Sequence, residues 1–183
     1  ARGAGALIPR LHDQASDYFL YGGLAFVALS MDYVDSMRSF RALGPDISAQ
    51  LQRHPEAEGD GVAYLADVLT GDVNRGYEST TGVVIHTVDG VTVRNLAHLV
   101  ELVETGDRPF VTFGYGRGRQ ITLNRARVEQ ESPELLERYG VTADRSLSLT
   151  GNAPRTAAHR RAGAPTSPGE PRPADQKVAS STR

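Results

Sequence analysis

Residues 83 to 104 read VVIHTVDGVTVRNLAHLVELVE, and the fold class is decided there. The first six, VVIHTV, are rich in β-branched side chains, which predicts a strand. Asp89-Gly90 follows, a pair suited to a two-residue hairpin turn because both of its central residues must accept positive φ. Val91 and Val93 resume the strand. Asn95 then offers a side-chain oxygen to the first free amides of a helix, and Leu96, Leu99, Val100, Leu102 and Val103 recur at helical spacing up to Glu104. A hairpin leading directly into a helix within 22 residues points to an α+β architecture, not to a parallel sheet with helical crossovers.

The same reading extends in both directions. Upstream, residues 24 to 29, LAFVAL, form a strand entered through Gly22-Gly23, and helices are expected over residues 31 to 42 and 47 to 53. Residues 54 to 61 carry Pro, Gly and acidic side chains and read as a surface connection, after which residues 64 to 69 return to strand. Downstream, residues 110 to 113 and 120 to 123 pair across the glycine-rich turn Gly114-Tyr115-Gly116-Arg117-Gly118. A last short helix is expected with Ser132 as its cap, Pro133 at its first position and Gly140 past its end. The sum is a small β-sandwich or partial barrel of five to six strands with two or more helices, spanning residues 17 to 150. Residues 1 to 16 read as a linker from a missing upstream part, consistent with a chain that starts at Ala1. No internal repeat is present.

Composition limits the function. Of 183 residues, 39% are hydrophobic and 23% charged, as in a globular domain with some chain to spare. From Gly151 onward there are five of the ten prolines and almost no large apolar residue, so this stretch is expected to be a disordered Pro/Ala/Arg-rich tail. Its six basic side chains against two acidic ones give about +4, which leaves about −6 of the total −2 on residues 1 to 150. That sign is wrong for a fold that must neutralise phosphates, and nucleic acid is excluded as a partner. The absence of cysteine excludes disulfides and thiolate chemistry. The longest apolar stretch, residues 19 to 31, is too short for a membrane span. No basic-then-apolar leader precedes it, and the compartment stays open.

The constellation that carries chemistry is one for binding. A domain that captures a peptide by adding it as a strand needs backbone amides for a terminal carboxylate, an exposed strand edge, and a facing apolar helix. Tyr21-Gly22-Gly23-Leu24 has the form of such a carboxylate loop, since glycines let amides converge on an anion without Cβ obstruction. Leu24, Ala25 and Phe26 would begin the edge strand. On the helix after Asn95, Leu96, Val100 and Val103 form one stripe and Leu99 and Leu102 a neighbouring one. The first is assigned to the groove wall and the second to the core, the alternative being that both are core.

Four segments resemble the last PDZ-like domain of Deg/HtrA-type, protease Do-like serine proteases: YFLYGGLAFVALSMDYV (18 to 34), YLADVLTGDVNRGYES (64 to 79), VVIHTVDGVTVRNLAHLVELVE (83 to 104) and ELLERYGVTADRSLSL (134 to 149). The combination of Asn74-Arg75-Gly76-Tyr77-Glu78 with Asn95-Leu96 carries most of that specificity. The resemblance implies a PDZ-like fold, a trypsin-like protease domain elsewhere in the parent, assembly into trimers or larger oligomers, and partners that are protein C-termini or other domains and subunits of the same protease. It also implies that such a domain can serve internal packing or oligomer contacts; the alternative reading is then a groove filled from within, by the region of residues 31 to 54.

Other chemistries find no support. Serine, histidine and aspartate are present, but no serine lies in a Gly-x-Ser-x-Gly or Gly-Asn-Ser-Gly context, so this chain is expected to be non-catalytic. No two histidines have helical ligand spacing, and no metal or cofactor is expected. His98 is a candidate to reach a peptide from its helix. Gly114-x-Gly116-x-Gly118 leads into a strand, whereas a dinucleotide loop leads into a helix.

Overall fold

The computed structural model describes residues 6 to 12, 15 to 38 and 45 to 150. Among these residues there are seven strands and four α-helices: β1 (Tyr18–Tyr21), β2 (Leu24–Ala28), α1 (Met31–Arg38), α2 (Pro45–Leu51), β3 (Ala63–Val68), β4 (Val83–Val88), β5 (Val91–Thr92), α3 (Leu96–Thr105), β6 (Phe110–Tyr115), β7 (Arg119–Asn124) and α4 (Arg125–Arg138). The strands pair antiparallel in the order β1-β2-β3-β4-β6-β7, with β5 also on β4, in an open sheet. The expected tail from Gly151 onward lies outside the described residues.

The alternation of side chains along β3 explains why the domain has two cores. Ala63 and Leu65 join the larger cluster, with Leu24, Phe26, Ile85, Phe113 and Ile121, under α3. Tyr64 and Ala66 point the other way, into a second cluster with Leu29, Val34, Ile47 and Val84, as the two-residue period of a strand demands. Helices α1 and α2 cover that second face. Through these helices the region between β2 and β3 packs on the back of the sheet, and not in the groove where the alternative reading put it. Leu7 and Ile8, placed by sequence in a linker, are buried in the same cluster, and Pro9 O accepts the Met31 amide at 2.8 Å.

The hairpin and helix of residues 83 to 104 form as read. Asp89 and Gly90 both adopt positive φ, +50° and +86°, and Asn95 Oδ1 accepts the His98 amide at 2.7 Å to cap α3. The last helix differs from expectation. It begins at Arg125, capped by Asn124, whose Oδ1 accepts the Arg127 amide at 3.0 Å, and Pro133 lies inside it. Burial decides this, because Val128 and Leu135, seven residues apart, both face inward only if the helix runs through the proline. Pro133 has no amide hydrogen to give to the helix, so one backbone hydrogen bond is left unmade there.

Candidate functional site

Gly22 and Gly23 have φ of +55° and +82°, the left-handed values that both central positions of a type I′ turn require. They close a hairpin. β1 runs back along β2 in the register Tyr18↔Val27, Phe19↔Phe26, Leu20↔Ala25 and Tyr21↔Leu24, while β3 pairs with the other side of β2. Strand β2, expected at the edge, therefore has a neighbour on each side. The physical reason is the preceding four residues, Tyr-Phe-Leu-Tyr, which have their own β propensity and their own apolar surface to bury.

The turn itself is packed. A Cβ placed on Gly22 would sit 2.7 Å from Leu123 Cδ1 and 2.9 Å from Val128 Cγ2, and one on Gly23 would overlap Asn74 Nδ2 and the Leu69 carbonyl. Asn74 is fully buried. Its Nδ2 donates to Gly22 O and to Leu69 O, both at 2.8 Å, and its Oδ1 accepts the Gly71 amide at 3.0 Å. One side chain thus satisfies three backbone groups that the turn and the neighbouring loop would otherwise bury unpaired. Replacing Asn74 with Ala should cost about 2 to 4 kcal/mol, since each orphaned buried group carries its desolvation penalty. Urea unfolding would read it, and Asn74→Asp, which cannot donate to either carbonyl, should be no better.

Across from β2, Leu96, Val100 and Val103 on α3 are buried together with Leu99 in the one large core cluster, and Leu102 packs against it. The two stripes do not divide into groove wall and core. They are both core because β1 lies against α3, which contacts β1, β2 and β4. Phe19 is 1% exposed and stacks on Phe26, ring centroids 6.3 Å apart, and on Tyr21 at 6.1 Å. Tyr21 meets Phe113 edge-on at 6.2 Å. Burial pushes the Tyr21 phenol up, with the Arg125 guanidinium pulling the other way. Arg125 in turn donates to the last-turn carbonyl of Val103 and pairs with Asp89 at 3.3 Å.

The outer edge of β1 is also occupied. Leu20 N donates to Asp144 O at 2.6 Å and Ser146 N to Tyr18 O at 3.0 Å, bridging Phe19 to Arg145. His98 Nδ1 accepts from the backbone amide of Arg94 at 3.2 Å, just before the cap of its own helix. Among the described residues no three His, Asp or Glu side chains are placed to hold a metal ion, and no helix is long and apolar enough to cross a membrane.

A sheet strand backed by a facing helix, with a paired-glycine turn at its start, is the geometry in which PDZ domains bind peptides. The family model for the PDZ domain matches residues 8–148. The chain belongs to the PDZ domain family. It is 31% identical over 133 residues to the putative protease Do-like 3, mitochondrial, of Arabidopsis thaliana, covering 72% of this chain and 22% of that protein. It is 28% identical over 130 residues to protease Do-like 4, mitochondrial, of the same plant, covering 71% and 23%. A serine protease DegP homolog of Plasmodium falciparum is 30% identical over 95 residues, 50% of this chain and 10% of that protein. The chain thus spans about a fifth or less of each of these relatives, and what it shares with them is the PDZ region.

Sequence reasoning placed Tyr21, Gly22, Gly23, Leu24, Ala25 and Phe26 of this PDZ domain beside Leu96, Val100 and Val103 as an open groove; in the structure Leu24, Phe26, Leu96, Val100 and Val103 share one buried core cluster, with Tyr21 packed against it. It missed β1 and residues 144 to 146 as occupants. A signal for β1 was available, because Gly-Gly between two apolar runs is itself a hairpin mark. Nothing in the local pattern of residues 144 to 146 announces a pairing with residues 125 positions upstream.

Proposed function

We propose that this PDZ domain is a non-catalytic module of a Do-like serine endopeptidase whose groove is closed by its own strand, so that it works through packing against neighbouring domains or subunits and through regulation of proteolysis. The observation that carries the reading is the register of β1 on β2. β1 lies antiparallel in front of α3, in the place and direction an added peptide strand would take. Its last residue, Tyr21, continues through Gly22-Gly23 into β2, so the position of a ligand's terminal carboxylate is taken by a peptide bond of the chain itself. The absence of any serine in a nucleophile context and the confinement of the similarity to the PDZ region support the non-catalytic part.

The second reading, capture of free C-termini by strand addition, draws on the aromatic lining formed by Phe26 and Phe113, which would suit an apolar side chain if β1 were absent. A random peptide library with free carboxylates, presented to the folded 183-residue protein, separates the two. The expected result is no sequence class bound with a Kd below about 100 µM. Selection of one C-terminal motif at micromolar affinity would establish the peptide-capture reading and overturn the closed groove.

A further inference from the structure

We infer that residues 143 to 150 are a releasable clasp, centred on Arg145, that decides whether β1 stays in the groove. This rests on the closed-groove reading and extends it by naming the part that does the closing. A four-residue strand joined by a two-residue turn is too little to hold itself, since isolated hairpins are marginal in water. β1 packs inward on β2 and α3, and its outer edge is held by this short segment.

Its contacts form two groups. At the start of β1, Asp17 Oδ1 accepts from Ser146 Oγ at 2.9 Å and from Ser148 Oγ, and Tyr18 N donates to Ser146 Oγ at 3.3 Å. At its middle, the Arg145 guanidinium lies 5.0 Å over the Phe19 ring and donates to Glu104 Oε1 at 2.6 Å and Asp144 Oδ2 at 2.8 Å. Glu104 belongs to the last turn of α3, and its side chain is 5% exposed, that of Arg145 13%. Arg145 therefore ties together helix, strand and clasp through one cation. Its neighbours Asp144 and Glu104 raise its pKa further, so it stays charged at every ordinary pH.

A buried pair of this kind is asymmetric. Formed, it adds little net stability, yet removal of one member leaves the other charge desolvated and uncompensated. Here the uncompensated member would be Glu104, whose second oxygen, Oε2, already lacks a partner. The least costly relief is for Glu104 to reach water, and that requires clasp and β1 to move away together, leaving β3, β4 and β6 paired as before. The groove so opened lies between β2 and α3 and is shaped for the side chains it has lost. Its occupant is a peptide whose last and third-from-last residues are aromatic, the places of Tyr21 and Phe19.

The test compares the whole 183-residue protein with Arg145→Met and with Arg127→Met, which removes an exposed pair to Glu131 as a control. Amide hydrogen exchange reads the opening of β1 against that of β6, because each amide reports the free energy of the smallest opening that exposes it. Binding of the labelled peptide Asp-Tyr-Phe-Leu-Tyr with a free carboxylate reads the vacated groove. In Arg145→Met, β1 amides are expected to exchange at least about tenfold faster while β6 amides hold, and the peptide to bind about tenfold more tightly than to wild type. Arg127→Met should match wild type in both. Unchanged β1 protection in Arg145→Met overturns the clasp. Equal loss across β1 and β6 also overturns it, because the segment would then be inseparable from the fold. Glu104→Gln, which removes the charge but keeps the shape, supplies the same comparison if Arg145→Met does not fold. Strong binding of the peptide by wild type would instead remove the closed-groove reading on which the clasp depends.

Discussion

Gly23→Ala lowers the stability of this domain by about 3 to 5 kcal/mol and the midpoint of thermal unfolding by roughly 10 to 20 °C. Two costs combine. An alanine at φ +82° is strained by roughly 1 kcal/mol or more, and its Cβ overlaps Asn74 Nδ2 and Leu69 O. Neither neighbour can give way cheaply. Asn74 is held by three hydrogen bonds, and the Leu69 amide is itself bonded to Gly23 O at 2.8 Å. Gly118 is the comparison, because it has φ +75° with open space where a Cβ would go. Gly118→Ala should therefore show the conformational cost alone, about 1 kcal/mol. Denaturant unfolding of the two variants side by side checks the claim. Equal losses would mean that the Gly22-Gly23 turn is not packed, and that its amides are free to meet a ligand.

The second large effect is expected at Phe19→Ala, which should cost about 3 to 4 kcal/mol, near the value for deleting a fully buried ring from a core. Phe19 is the second residue of β1, the strand that an open PDZ groove would lack, yet it is 1% exposed and stacked between Phe26, Tyr21 and the Arg145 guanidinium. Leu147, in the clasp but 88% exposed, sets the scale for a side chain that buries little, and Leu147→Ala should stay within about 0.5 kcal/mol of wild type. Urea midpoints at constant m-value read both. A loss below about 1 kcal/mol at Phe19 would mean that β1 contributes little to the core and that the groove stands open in solution.

These two positions also mark where reading the chain succeeded and where it stopped. The double glycine stood out as a site where the absence of Cβ matters, but a turn that cradles an anion and a turn that closes a hairpin require the same backbone freedom. Only the partner strand distinguishes them. The aromatic run of Tyr18–Tyr21 was long enough to be that partner. Its other edge, however, is completed by residues 144 to 146, and no periodicity links segments so far apart. In α3 the two stripes were visible and their shared burial was not, because it is the packing of β1, β2 and β4 against the helix that buries Leu96, Leu99, Val100 and Val103 together. Pro133 was read as a helix start for want of the fact that Val128 and Leu135 press on the glycine turn and its neighbouring loop.

What the sequence determined by itself was local. Turn residues at Asp89-Gly90, the Asn95 cap, the alternation along the strands and the helical stripes act over a few residues, and their preferences survive in any tertiary setting, so the α+β class and the PDZ family resemblance could be read directly. What the tertiary structure decided was occupancy: which strand lies beside β2, which helix covers the turn, and whose cation lies over Phe19. Occupancy is a competition among distant segments for the same buried surface and the same unpaired backbone groups. Its outcome depends on all of the competitors at once, which is why a groove legible in the sequence is, in the folded chain, filled by four residues of the chain itself.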